Sequence, residues 1–117
     1  MRNPYQAYKQ NSVTTASPKA LLIRLHDKSI DELRAAKQNF KDGNVDEMRP
    51  RIQKTQDIVA YLRGCTDTQT EVGERLVRLY NYYYQKLFES FVSPSNEVFD
   101  ELLGYFESWK ETWIKAE

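Results

Sequence analysis

Two side chains in this sequence are the usual starting points for catalysis or metal binding: the single histidine, His26, and the single cysteine, Cys65. A nucleophilic cysteine needs a base within reach, and nothing in the sequence places His26 beside it. The Glu-x-x-His pairs that build metal sites in helical bundles are absent around His26, and no glycine-rich phosphate loop occurs. We therefore expect no enzymatic activity, no metal and no cofactor. His26 is interpreted as a packed helix residue and Cys65 as a small residue at a helix end.

A cluster of tyrosines offers recognition chemistry instead. Residues 79–87 read LYNYYYQKL, which places four of the eight tyrosines of the chain within five positions. Such a run is compatible with a buried strand, with a platform for nucleic-acid bases, or with one face of a helix. On a helix that advances ~100° per residue, Tyr80, Tyr83 and Tyr84 share the apolar face and Tyr82 points to solvent. The neighbouring leucines and phenylalanine fall on that same face, which favours the helix.

The composition excludes several classes of protein. The chain has 117 residues, the size of one domain, and its 17 basic side chains balance 17 acidic ones. A neutral chain lacks the positive charge of a dedicated nucleic-acid binder. No apolar run is long enough to insert into a membrane, and the first residues have no apolar core typical of a signal peptide. We expect a soluble, cytoplasmic protein with no nucleic-acid partner.

Apolar residues that recur at spacings of three and four predict four helices. Turn-forming residues interrupt the pattern at 41–44, 64–70 and 93–96. Pro50 conflicts with a helix that begins at Val45, because it removes a backbone donor; the second helix either starts near Pro50 or is kinked there. The predicted core positions, in helix order, are Leu22, Leu25, Ser29, Leu33, Ala36 and Phe40; Val45, Met48, Ile52, Thr55, Val59 and Leu62; Val72, Leu76, Leu79 or Tyr80, Tyr83, Leu87 and Phe91; and Phe99, Leu102, Phe106, Trp109 and Trp113.

The predicted fold is an all-α antiparallel four-helix bundle, because short loops join helices of similar length. Residues 17–117 form this bundle, with Ser17 as the N-cap and Pro18 as the first helical residue. Residues 1–16 form a polar N-terminal arm or short cap helix.

Each predicted helix carries more apolar side chains than one core stripe requires. Ile23 and Ile30 lie beside the stripe of the first helix, and Ile58, Tyr61 and Cys65 lie beside that of the second. These flanks are either buried between neighbouring helices or form a groove for an amphipathic segment of a partner. Tyrosine suits such a groove, because it offers a large contact area and a hydroxyl that tolerates water.

Three stretches together resemble the FliS family of flagellar secretion chaperones: NPYQAYKQNSVTTASPKALLIRL at 3–25, LVRLYNYYYQKL at 76–87 and ELLGYFESWKETW at 101–113. The resemblance covers nearly the whole chain, and its most specific part is NSVTTASP. It implies a cytoplasmic chaperone that binds the C-terminal segment of flagellin along apolar grooves, prevents premature polymerisation and delivers flagellin to the flagellar type III export gate. The chain departs from the family at Arg24, His26 and Lys28, where an apolar, an aromatic and a small residue are expected.

The resemblance and the broad apolar faces together indicate the residues that contact the client. We also expect Tyr5 and Tyr8 to cover part of the groove when it is empty and to move when the client arrives. The alternative function is a structural helical module that forms a homodimer through its apolar faces. The predicted client-binding residues are Tyr5, Tyr8, Asn11, Val13, Ile23, Ile30, Ile58, Leu79, Tyr80, Tyr83, Tyr84 and Leu87.

Overall fold

The computed structural model describes residues 4–9 and 18–116, most of which lie in four helices: α1 (Pro18–Lys41), α2 (Val45–Cys65), α3 (Glu71–Val92) and α4 (Asn96–Lys115). α1 and α3 each pack against both α2 and α4. The short loops make successive helices antiparallel, and the bundle measures 47 × 22 × 22 Å. The predicted fold class is therefore confirmed. The division into an arm at 1–16 and a bundle at 17–117 stays a prediction, because its boundary lies outside the described residues.

Side-chain caps begin the helices that follow each loop. Thr70 accepts a hydrogen bond from the Gly73 amide at 2.9 Å, and Ser95 accepts one from the Val98 amide at 3.1 Å. These bonds satisfy backbone donors that have no partner within the helix. The predicted cap Ser17 lies outside the described residues.

α2 begins at Val45 and continues through Pro50, so the alternative of a start near Pro50 is wrong. The side chain of Asn44 caps this helix by accepting from the Glu47 amide at 3.3 Å. Asp46 and Glu47 place negative charge at the N-terminal end of the helix dipole, where it is favourable. These contributions offset the single backbone hydrogen bond that proline cannot make.

The predicted core stripes meet in the centre of the bundle. The largest side chains with almost no exposed surface include members of all four helices. Burial of such side chains is the main stabilising contribution, about 1.5–3 kcal/mol each. They are Leu22, Leu33, Met48, Ile52, Leu87, Phe99 and Leu102.

α3 and α4 approach each other less closely than the other neighbouring pairs. Aromatic rings occupy the space between them: Tyr83 lies 5.0 Å from Tyr105 and 5.8 Å from Phe106 between ring centres. The Trp109 indole N–H donates to the Tyr83 hydroxyl at 2.6 Å. The wide apolar faces predicted for these two helices are therefore partly explained by large side chains that fill this seam.

Candidate functional site

The described part of the N-terminal arm, residues 4–9, lies against one end of the bundle. Pro4–Ala7 form one short helical turn, and Tyr8 pairs with Thr66 as an isolated antiparallel bridge. The Lys9 amide donates to the Cys65 carbonyl at 2.7 Å, and the Asp67 amide donates to the Ala7 carbonyl at 2.6 Å. Backbone bonds thus hold the arm to the loop that joins α2 and α3.

Two tyrosines of the arm reach the aromatic side chains of that end. The Tyr8 hydroxyl shares a short hydrogen bond with the Tyr80 hydroxyl, and both side chains are buried. The Tyr5 hydroxyl donates to the Trp113 carbonyl at 2.8 Å, and its ring centre lies 5.4 Å from the Trp113 ring. We call these residues (Tyr5, Tyr8, Tyr80 and Trp113) the arm site.

Burial sets the protonation states of the arm site. It raises the pKa of both Tyr8 and Tyr80 far above the ordinary tyrosine value, because the phenolate would lose its hydration. Both hydroxyls therefore remain protonated at neutral pH and their contact is a bond between neutral groups. The two hydroxyls can therefore move apart without breaking an ion pair.

His26 lies beneath the arm site and is also buried. Its ring packs edge-on against Trp113 with 6.5 Å between centres. Burial lowers the pKa of His26, so the ring is neutral at neutral pH. Nδ1 lies 2.7 Å from the Leu22 carbonyl, which requires the neutral form to carry its proton on Nδ1 and donate it there. The interpretation of His26 as a packed helix residue agrees with this geometry.

The structure does not bring all the predicted client-binding residues together. Tyr5, Tyr8 and Tyr80 meet in the arm site, whereas Asn11 and Val13 lie outside the described residues. The others are spread over the flanks between neighbouring helices. Tyr83 faces α4 and Tyr84 contacts Arg63 of α2.

The remaining predicted residues differ in exposure. Ile30 and Leu87 are buried, and Leu87 lies in the core of the bundle. Ile23, Ile58 and Leu79 are partly buried and pack against that core. The last three therefore present part of their apolar surface to solvent.

An apolar depression lies between α1 and α2. Its volume is about 340 Å³, and it is lined by Leu21, Leu25, Asp57, Ile58 and Tyr61. We call it the α1–α2 groove. A second depression, between α1 and α4, contains Ile30 but has a rim of charged side chains.

Sequence reasoning missed two features of these sites. Leu21 was not predicted to line a groove, although its spacing of four from Leu25 places both on one flank of α1. Trp113 was predicted as a core residue but not as the partner of the arm. No spacing rule connects residue 5 with residue 113, so only the folded chain reveals that contact.

The described residues contain neither a metal-binding cluster nor a membrane-spanning helix. Among them, no group of three or more histidine, cysteine or carboxylate side chains is arranged to hold a metal ion. No helix in residues 18–116 is long and apolar enough to cross a membrane.

The sequence can also be compared with known proteins. The family described as flagellar protein FliS matches residues 1–117, which is the whole chain. The chain belongs to the FliS family. FliS relatives include the flagellar secretion chaperone FliS of Bacillus subtilis (strain 168), 27% identical over 116 residues that cover 99% of this chain and 87% of that protein. The flagellar secretion chaperone FliS of Vibrio cholerae serotype O1 is 25% identical over 119 residues, covering 97% of this chain and 88% of that protein.

Membership in the FliS family confirms the resemblance that the sequence motifs indicated. FliS is a family of chaperones and not of enzymes, so the prediction that this chain is not an enzyme is also confirmed. Membership supports a chaperone role in flagellar export.

Proposed function

We propose that this protein is a cytoplasmic chaperone that binds the C-terminal segment of flagellin, prevents its premature polymerisation and delivers it to the flagellar type III export gate. The observation that carries the proposal is the α1–α2 groove, whose lining is almost entirely apolar. Binding of an amphipathic segment there removes apolar surface from water, at about 25 cal/mol per Å². The cost of ordering a flexible segment reduces this gain.

The arm site supports the same proposal. Tyr80 is 4% exposed and carries Tyr8 of the arm on its hydroxyl, so a client reaches it only after the arm leaves. The contacts that hold the arm are hydrogen bonds and ring contacts between neutral groups. A client that buries more apolar surface than the arm does can replace it. We propose that Tyr5 and Tyr8 cover the arm site in the empty chaperone and contact the client after they move.

The predicted client contacts outside the arm and the arm site divide into two groups under this proposal. Four side chains are partly exposed, so a client can contact them without any change in the bundle: Ile23, Ile58, Leu79 and Tyr84. The buried side chains support the shape of the grooves from below, and their direct contact with a client stays a prediction. They are Ile30, Tyr83 and Leu87.

Titration calorimetry with the C-terminal ~40–50 residues of the cognate flagellin tests the proposal, because a segment of that length can bury the area typical of coupled folding and binding. We expect a Kd of about 1 μM or tighter. No binding at micromolar concentrations would reject the chaperone assignment. A tight dimer in sedimentation that ignores this peptide would favour the homodimer alternative.

Two exposed tyrosines provide a matched pair of variants for the groove. Tyr61 lines the α1–α2 groove and is 44% exposed, whereas Tyr82 on α3 is 45% exposed and lies outside it. Replacement Tyr61→Ser should weaken binding about tenfold, the effect of removing one aromatic anchor. Tyr82 lines a separate depression that also contains Phe88, and Tyr82→Ser should weaken binding less than Tyr61→Ser does. Equal Kd values for the two variants would exclude this groove as a main contact.

A further inference from the structure

The flank between α2 and α3 combines cationic and aromatic side chains. The guanidinium of Arg63 lies 5.1 Å from the centre of the Tyr84 ring, and Arg63 donates to the Asn81 side chain at 2.9 Å. The guanidinium of Arg49 lies 5.3 Å from the centre of the Phe91 ring, and its Nε donates to the Phe91 carbonyl at 3.3 Å. Both cations are therefore held in place by α3.

An apolar ridge connects the two arginines. Tyr84, Phe88 and Phe91 are spaced by four and three, so they lie along one face of α3. Phe88, in the middle of the ridge, is 55% exposed. Because Arg63 is hydrogen-bonded to Asn81 and Arg49 to the Phe91 carbonyl, ten residues further along α3, the two guanidinium groups are separated by about 15 Å along the helix. We call Arg49, Arg63, Tyr84, Phe88 and Phe91 the arginine face.

The two arginines differ from others in the bundle. Arg34, Arg75 and Arg78 each have a carboxylate within salt-bridge distance. Among the described residues, no carboxylate pairs with Arg49 or Arg63, and each keeps guanidinium N–H groups without a partner. Positive charge is thus fixed on both sides of an exposed phenylalanine, and neither arginine forms a salt bridge with a described carboxylate.

We propose that the arginine face binds a helix of the client segment that carries acidic residues at positions i and i+11 and apolar residues at i+4 and i+7. This inference rests on the proposed function, and it names the side chains that the client must supply. Each carboxylate accepts charge-assisted hydrogen bonds from one guanidinium. The apolar residues between them cover Phe88. The two charges fix the register of the client helix along α3.

Two other occupants fit this face less well. In a symmetric dimer the same patch meets itself, and a two-fold axis through the ridge would place Arg49 opposite Arg63 of the second copy. That arrangement brings like charges together. A nucleic acid would need a broad positive surface, whereas the chain has no net charge.

The test compares two double variants that remove the same charge. Arg49→Met with Arg63→Met keeps the aliphatic stems on the aromatic rings but removes the guanidinium groups. Arg75→Met with Arg78→Met removes two arginines that already have carboxylate partners on α3. Binding of the C-terminal flagellin segment is measured by calorimetry at about 0.05 M and about 0.5 M salt. Thermal unfolding of each variant verifies the fold.

We expect the arginine-face variant to bind about five- to tenfold more weakly at low salt, because two partly exposed ion pairs are lost. Its Kd should also become nearly independent of salt, whereas the control variant should match the unmodified protein. The reciprocal experiment uses the unmodified chaperone and a flagellin segment in which the two acidic residues are replaced by Asn or Gln. It should show the same loss without any change to the chaperone.

Equal affinity of the arginine-face variant and the control would overturn the inference, as would a cognate flagellin segment without two acidic residues eleven positions apart. Self-association in sedimentation that Phe88→Ser abolishes would assign this face to a second copy and would also overturn it. In contrast, failure of the unmodified protein to bind the segment would reject the proposed function itself. The two failures are therefore distinguishable.

Discussion

At the scale of single residues, the contact between Tyr8 and Tyr80 is the interaction that joins the arm to the bundle interior. Each hydroxyl is buried and has the other as its partner. Removal of one hydroxyl leaves a buried polar group without a partner, which costs more than removal of both. The energetics of this pair therefore reveal whether the arm is docked in solution.

We expect Tyr8→Phe to lower the free energy of unfolding by about 1–2 kcal/mol, because the Tyr80 hydroxyl is then buried without a partner. The double variant Tyr8→Phe with Tyr80→Phe should recover most of that loss. Urea denaturation measures both values. Tyr82→Phe, on an exposed tyrosine of the same helix, serves as the control and should change stability by less than about 0.5 kcal/mol. A double variant with the summed cost of the single ones would contradict a docked arm.

His26 should make stability depend on pH. Burial lowers the pKa of His26 in the folded state below the value of the unfolded chain. As the pH falls below about 6.5, the unfolded state therefore binds a proton that the folded state does not, and stability decreases. Above about pH 6.5 the histidine is neutral in both states, and its contribution is constant.

Urea midpoints at about pH 7.5 and about pH 5.5 measure this effect. The loss of stability on acidification should be smaller in His26→Gln than in the unmodified protein. Carboxylates titrate in both proteins, so the difference between the two pH dependences isolates the histidine. Identical pH dependences would show that His26 is as accessible to protons in the folded state as in the unfolded one.

At the scale of elements, Gly73 allows the loop between α2 and α3 to close over the start of α3. A Cβ atom at this position would lie 1.9 Å from the Asp67 carbonyl oxygen. The same loop residue, Asp67, donates its amide to the Ala7 carbonyl of the arm. A side chain at position 73 therefore disturbs both the helix start and the arm.

We expect Gly73→Ala to destabilise the protein by about 2 kcal/mol or more, in the range of overpacked sites. Gly104→Ala is the matched control, because Gly104 lies in α4 and a Cβ atom added there would meet nothing within 4 Å among the described residues. This control should be stabilised by about 0.5–1 kcal/mol, since alanine favours the helix. Thermal unfolding distinguishes the two, and a stable Gly73→Ala protein would exclude the close approach.

The elements themselves could be predicted from the sequence, because each helix obeys local rules. The periodic apolar stripes predicted the four helices, and the helical projection correctly placed Tyr80 and Tyr83 inside and Tyr82 outside. The start of α2 was not settled by local rules, since the cap at Asn44 outweighs the penalty of Pro50. Helix propensities alone do not show whether the cap at Asn44 or the penalty of Pro50 is larger.

The candidate sites could be predicted only in part, because they depend on contacts between distant residues. The apolar surplus on α1 and α2 correctly indicated side chains beyond the core, such as Ile58 and Tyr61. It did not indicate which of these flanks is open. Tyr83 and Leu87 belong to the same apolar face as Tyr84, yet the seam with α4 and the core bury them. A wide apolar face on a helix therefore has two causes: a large buried seam with a neighbouring helix, or an open groove.

At the scale of the whole molecule, the exposed apolar surface is distributed around the bundle. The α1–α2 groove lies between α1 and α2, the arginine face lies between α2 and α3, and the arm site lies at one end of the bundle. Under the proposed function, we expect a flexible client segment to reach all three by wrapping around the bundle, which is 22 Å across.

We expect the arm to set how fast such a segment binds. If the client reaches Tyr80 only from the undocked form, the observed association rate is reduced by the fraction of molecules whose arm is docked. Deletion of residues 1–14 should therefore increase the association rate severalfold, measured by stopped-flow fluorescence of the tryptophans with the C-terminal flagellin segment. The variant Tyr8→Ala, which keeps Asn11 and Val13, should give a similar rate because it removes the contact with Tyr80. If the client dissociates more slowly from the Tyr8→Ala variant than from the deletion variant, the rest of the arm contacts the client. An association rate that is unchanged in both variants would show that the arm does not control access to Tyr80.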